Sequence, residues 1–174
     1  MINWKAHVFL LFLPLLLGNV LHMILVKKNG ASFLAIPLSI DLFGTNKTWR
    51  GFVFLPLVCA FIAFVNSCLL GCFTYSHAYD ILVGAGLGLA YLISELPNSY
   101  VKRKLGIKQG ELSAQYKYVQ FFVDKADSIV GVLLFYYFAT AIPFSDVFYL
   151  FFISLSIHIG VSLLLVRLKI KQSF

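Results

Sequence analysis

The chain has 174 residues, of which 60% are hydrophobic and 12% charged, with a mean hydropathy of +0.89 and a formal net charge of +7. This apolar excess excludes an ordinary soluble domain and assigns the chain to the integral membrane proteins. The positive charge accompanies no nucleic-acid-binding module, so nucleic acid is not expected as a partner.

About 20 apolar residues cross the hydrocarbon core of a bilayer. Five runs of that length are predicted as helices, at approximately 7–26, 52–73, 80–98, 120–141 and 147–166. The expected fold is therefore an all-α integral membrane protein of about five transmembrane helices, with residues 1–174 forming one membrane-embedded domain. In the first run Lys5 precedes "FLLFLPLLLG", which would suit a signal peptide, but the apolar character continues to Lys27 and Lys28 with no small-residue cleavage pattern. The run is read as a span, with a kink expected at Pro14.

Between the first and second runs, "SIDLFGTNKTWRGF" (39–52) gathers Gly44, Asn46, Lys47, Thr48, Arg50 and Gly51 just before a helix start. Glycines permit close backbone approach, Lys and Arg neutralise phosphate, and a helix start offers free N–H groups, so the segment is expected to cradle phosphate. The Walker A spacing is absent. A plain basic stop at the membrane surface, anchored by Trp49, is the competing reading. The second run holds Cys59, Cys68 and Cys72, expected to be packing residues. In the third, "GAGLGLA" (84–90) follows no strand. Gly84 and Gly88 instead form a small-x-x-x-small pair for helix packing.

The segment "ELPNSYVKRKLGIKQGELSAQYKYVQ" (95–120) is expected to be a second long loop. It opens with Glu95, Ser99, Lys102 and Arg103 and leads into "FFVDKADSIVG" (121–131). Charge inside an apolar span is costly and calls for a reason. A spacing of three puts Asp124 and Asp127 on one helix face, where both carboxylates can hold one ligand or metal ion. Carboxylates and cations at one membrane surface suit a Mg²⁺-bound polyphosphate, and hence phosphoryl or nucleotidyl transfer. His22 and His158, inside spans without acidic neighbours, are expected to be hydrogen-bonded packing residues.

Orientation follows from the Lys/Arg count in alternate loops. Of 14 Lys and Arg residues, 13 fall on one side and only Lys5 on the other. This places the N-terminus outside, the C-terminus in the cytoplasm, and both longer loops on the cytoplasmic face of the cell membrane.

Three motifs then carry a family resemblance: "GTNKTWRG" (44–51), "SYVKRKLGIKQG" (99–110) and "VDKADSIVG" (123–131). In order and context they resemble the CDP-archaeol synthases, membrane cytidylyltransferases related to the CDP-diacylglycerol synthases. The resemblance implies that CTP and a lipid phosphate give a CDP-lipid and pyrophosphate. For the archaeol branch the lipid is a glycerol phosphate bearing two geranylgeranyl ether chains. It also implies Asp124 and Asp127 as Mg²⁺ ligands and catalytic residues with Lys102 and Arg103. Gly44, Asn46, Lys47, Thr48, Arg50, Gly51, Ser99 and Glu95 are the implied substrate-binding set. The chain departs from the pattern in having Ser94-Glu95 for Gly-Asp, and Asn98 where the diacylglycerol enzymes carry an acid. A phosphatidic-acid-using synthase, a small anion transporter and a non-enzymatic assembly subunit are the alternatives. The sequence leaves a homo-oligomer open.

Overall fold

The computed structural model describes residues 4–107 and 117–168. Six helices follow in order: α1 (Trp4–Lys27), the short α2 (Ile40–Phe43), α3 (Trp49–Leu70), α4 (His77–Lys104), α5 (Lys117–Thr140) and α6 (Phe144–Arg167). In lipid every backbone polar group must be satisfied within the segment, which is why the apolar runs are helical. α1, α3, α4 and α6 are each long and apolar enough to cross a membrane. α5 has the same 24 residues as α6, but Asp124, Lys125 and Asp127 interrupt its apolar surface.

α4 is the central element, packed against α3 on one side and α5 on the other, and α6 packs on α5. Its close approach to α3 depends on glycine. A Cβ at Gly84 would lie 2.7 Å from the Cys59 carbonyl oxygen, and one at Gly88 would lie 2.7 Å from Pro56 Cα. The small-x-x-x-small pair thus packs one helix backbone onto another, as expected. The buried core joins Leu10 and Leu11 of α1, Val83 and Leu87 of α4, and Ile129, Val132, Leu133 and Tyr136 of α5. Large apolar side chains also point outward, with Leu57, Phe61, Leu82 and Phe138 each more than 60% exposed. Such surface is tolerable where lipid rather than water covers it. Trp4 and Trp49 stand exposed at opposite ends of the bundle, where interfacial anchors belong.

Pro14 follows an irregular stretch of α1. The chain widens into π-helical turns over His7–Phe12, just ahead of the proline, whose missing N–H cannot close the regular ladder. Polar groups from α3 cover nearby carbonyls: Asn66 Nδ2 donates to Phe9 O at 2.7 Å and the Cys59 thiol to Pro14 O at 3.3 Å. Of the three cysteines expected to pack, only Cys59 does. Cys68, on the outer face of the last turn of α3, is exposed, and so is Cys72, because α3 ends at Leu70 rather than near residue 73.

The helix ends sort by charge. At the end bearing Lys5, Asp80 is fully buried and accepts from Phe73 N at 2.9 Å, Ser67 Oγ at 2.6 Å and Thr74 Oγ1. The single Ser67 proton goes to Asp80, so the His77 Nδ1 at 2.7 Å must donate to Ser67. This carboxylate ties the α3–α4 turn together. The opposite end carries Lys27, Lys47, Arg50, Lys102, Arg103, Lys104 and Arg167, together with the acidic pair.

One expectation needs correction there. The second loop was expected to begin at residue 95, but α4 continues to Lys104, so Glu95, Ser99, Lys102 and Arg103 are helical. Hydropathy falls before the helix does. Three cations in its last turn complement the helix dipole, and side-chain bonds to α5 hold the polar turns in place. At 1.5 Å per residue, 28 residues span about 42 Å, so the polar turns reach beyond a core of about 30 Å. Part of the predicted loop, 108–116, lies outside the described residues.

Candidate active site

The segment linking α1 to α3 is folded rather than loose. Leu38 N donates to Lys47 O at 2.8 Å and Trp49 N to Ile36 O at 3.0 Å, forming a small antiparallel bridge. Gly44 ends α2 at φ +82, a conformation that favours glycine, and so turns the chain into Asn46–Thr48. The free N–H groups expected at the start of α3 are partly spent. Trp49 N–H goes to Ile36 and Gly51 N–H to Thr48 O, so anion binding here must rest mainly on side chains.

Asn46, Lys47, Thr48, Arg50, Gly51 and Glu95 line one cavity of about 1080 Å³. Its mouth is polar. Below, Leu11, Phe12, Leu15 and Leu16 of α1 face Ile129 and Val132 of α5 and Ile157 and Val161 of α6. Within this wall stand Asn19, which donates to the Tyr91 hydroxyl at 3.0 Å, and His22 and His158. α1 packs chiefly on α3 and α4, and α6 chiefly on α5, so these two helices flank the cavity without a packed seam between them. Lys47 pairs with Glu95 across the mouth. Arg50 is buried, its Nη1 donating to Gly30 O at 3.1 Å.

A second cluster joins α4 to α5. The Asn98 amide donates from one nitrogen to Asp124 Oδ1 and to Asp127 Oδ2, at 2.7 Å each, and Lys102 pairs with Asp124. The Ser128 amide donates to Asp127 Oδ1 at 2.6 Å. Glu95, Asn98 and Lys102 recur at spacings of three and four, so one face of α4 carries groups from both clusters. The structure thus brings together ten of the twelve expected residues in two adjoining sets if Gly44 is counted for its turn. The other two are Ser99 and Arg103. Ser99 directs its hydroxyl to Glu95 O on its own helix, and Arg103 keeps a buried Nε with no partner among the described residues.

The family model described as "CarS-like: CDP-archaeol synthase" matches residues 7–174. The chain belongs to the CDP-archaeol synthase family. Among curated relatives of that name, the Staphylothermus marinus protein is 32% identical over 122 residues, 68% of this chain and 62% of the relative. The chain therefore spans less than two thirds of that relative's length. The Pyrococcus horikoshii protein is 29% identical over 129 residues, covering 74% of this chain and 72% of its own. The Pyrococcus furiosus protein is 28% identical over 131 residues, 75% and 74% respectively. No solved structure matches the chain significantly.

The chain's departures from the family pattern have local partners. A Cβ at Gly131 of α5 would lie 2.3 Å from Ser94 Cβ, so Ser94 is accommodated by a glycine opposite it. Glu95 reaches Lys47 of the linking segment. Asn98 holds both aspartates with one amide, where a third acid would repel them. For a metal, two carboxylates facing a common nitrogen suit Mg²⁺, which takes one or two carboxylates and fills its other positions with water and phosphate oxygens. Among the described residues no group of three or more His, Cys, Asp or Glu gathers to hold an ion. The sequence reading missed Asn98 as a bridging residue, and His22, expected to be hydrogen-bonded, has a buried Nε2 with no partner among the described residues.

Proposed function

We propose that this chain transfers the cytidylyl group of CTP to a membrane lipid phosphate, releasing pyrophosphate, at the cytoplasmic face of the cell membrane. The observation that carries the reading is the cavity, polar and cationic at its mouth and apolar below, beside a paired-carboxylate cluster in a chain of this family. A lipid phosphate is amphiphilic in the same sense. Its tails would reach the cavity from the bilayer between α1 and α6, and CTP would come from the aqueous side. The sequence bias of 13 Lys and Arg in one set of alternate loops against Lys5 in the other supports the basic side as cytoplasmic.

An oxygen of the lipid phosphate attacks the α-phosphorus of CTP, the bond from that phosphorus to the α,β-bridging oxygen breaks, and pyrophosphate departs with the electron pair. The nucleophile is already an anion, so the protein's task is positioning and charge stabilisation. Lys47, Arg50, Lys102 and Arg103 neutralise phosphate oxygens, while Asn46 and Thr48 orient them or the cytosine edge. Asp124 and Asp127 would hold Mg²⁺, which when bound supplies charge neutralisation at the triphosphate. The lipid is archaetidic-acid-like, with two ether-linked prenyl chains.

The test incubates purified protein with labelled CTP, Mg²⁺ and a panel of long-chain lipid phosphates, ether- and ester-linked, beside water-soluble glycerol phosphate. A labelled lipid formed most efficiently from the ether-linked prenyl substrate is expected. No labelled lipid from any substrate, or equal use of glycerol phosphate, would overturn the reading.

A further inference from the structure

The mouth of the cavity holds two buried nitrogens for which the described residues provide no partner. His22, on α1, presents Nε2 to Gly51, where an added Cβ would lie 3.4 Å away, and this nitrogen is buried without a hydrogen bond. Arg50, next to Gly51, is only 7% exposed, and its Nε is likewise buried and unpartnered although Nη1 bonds Gly30 O. Buried polar groups are nearly always satisfied, so two orphans from adjoining elements, on residues that both line one cavity, point to an absent acceptor. Gly51 leaves room for the histidine ring at this level, and Phe54 lies beside it at 6.3 Å between ring centroids.

The surroundings define that acceptor. On one side of His22 are Asn46, Lys47 and Thr48, which suit an anion. On the other, Leu11, Phe12, Leu15 and Leu16 share its helix and line the apolar part of the cavity. A ligand reaching these nitrogens has an anionic head on the loop side and hydrocarbon on the membrane side. We propose that His22 Nε2–H and Arg50 Nε–H donate to the phosphate oxygens of the lipid substrate, which makes His22 a substrate-binding residue. Such charge-assisted bonds are the stronger class of hydrogen bond. This inference rests on the reading above and deepens it, because it seats the lipid phosphate at the α1–α3 side of the mouth and leaves the acidic cluster to the nucleotide.

The test measures binding without turnover, using the full chain in detergent. Thermal stabilisation is titrated with a long-chain dialkylglycerol phosphate, with the corresponding dialkylglycerol lacking phosphate, and separately with Mg²⁺ and CTP. The wild-type chain is expected to bind the phosphate lipid more tightly than the alcohol. His22→Phe, which keeps a ring beside Phe54 but has no donor, should bind it about tenfold more weakly. His22→Gln, which retains an N–H, should stay within about threefold, and CTP binding should be unchanged in both. Should His22→Phe not fold, His22→Leu takes its place. Unchanged lipid-phosphate binding in the donor-less variant, a loss falling on CTP instead, or no preference of the wild type for the phosphate would each overturn the proposal. A chain that binds lipid phosphate through His22 yet forms no CDP-lipid would remove the enzymatic reading alone.

Discussion

Asn98 holds Asp124 and Asp127 through one amide nitrogen at 2.7 Å each, and Lys102 joins the same group. Two carboxylates held at a common point need such donors, because like charges otherwise separate. Asp124→Asn and Asp127→Asn are each expected to remove most of the CDP-lipid-forming activity while membrane insertion is unchanged, since Asn matches Asp in volume. Asn98→Ala should lower activity by about 10–100-fold, the usual effect of removing a group that orients metal ligands, which is the role proposed for the two aspartates. Initial rates on protein of matched expression check these outcomes, and near-normal turnover of the double Asn variant would reduce the pair to a packing role. The aspartates were legible because charge in an apolar run is conspicuous. Asn98 was not, since an uncharged amide looks the same in sequence whether it bridges two acids or faces solvent.

The five long helices were legible to within about three residues at most ends, because the apolar runs that lipid requires are long and their boundaries charged. The end of α4 was not. Hydropathy registers where the bilayer stops, whereas the helix persists to Lys104 through side-chain bonds to α5. Helix packing gives the prediction at this scale. Gly88→Ala places a Cβ 2.7 Å from backbone of α3, which cannot swing aside, and should destabilise by about 1–3 kcal/mol. Gly160→Ala, on α6, meets nothing within 4 Å and should be neutral or slightly stabilising through helix propensity. Thermal unfolding in detergent distinguishes them, and equal midpoints for the two variants would contradict the packing account.

Across the whole molecule, charge and acidic pair gather at one end and the Asp80 knot closes the other. The charge asymmetry was plain in sequence, but the cavity was not, since it forms from five helices whose inward residues are individually ordinary. A membrane-impermeant maleimide should label Cys72 from outside in intact cells, while Lys104→Cys in a Cys68→Ser, Cys72→Ser background should react only after permeabilisation. The reverse pattern would put the site on the wrong face for cytoplasmic CTP. The central claim is transfer of the cytidylyl group to lipid with loss of pyrophosphate, and labelling CTP in turn at the α- and γ-phosphate tests it most directly. With Mg²⁺ and an ether-linked prenyl lipid phosphate, the α label should enter the lipid phase and the γ label should remain in water as pyrophosphate. Transfer of the γ label to lipid, or of neither label, would contradict it.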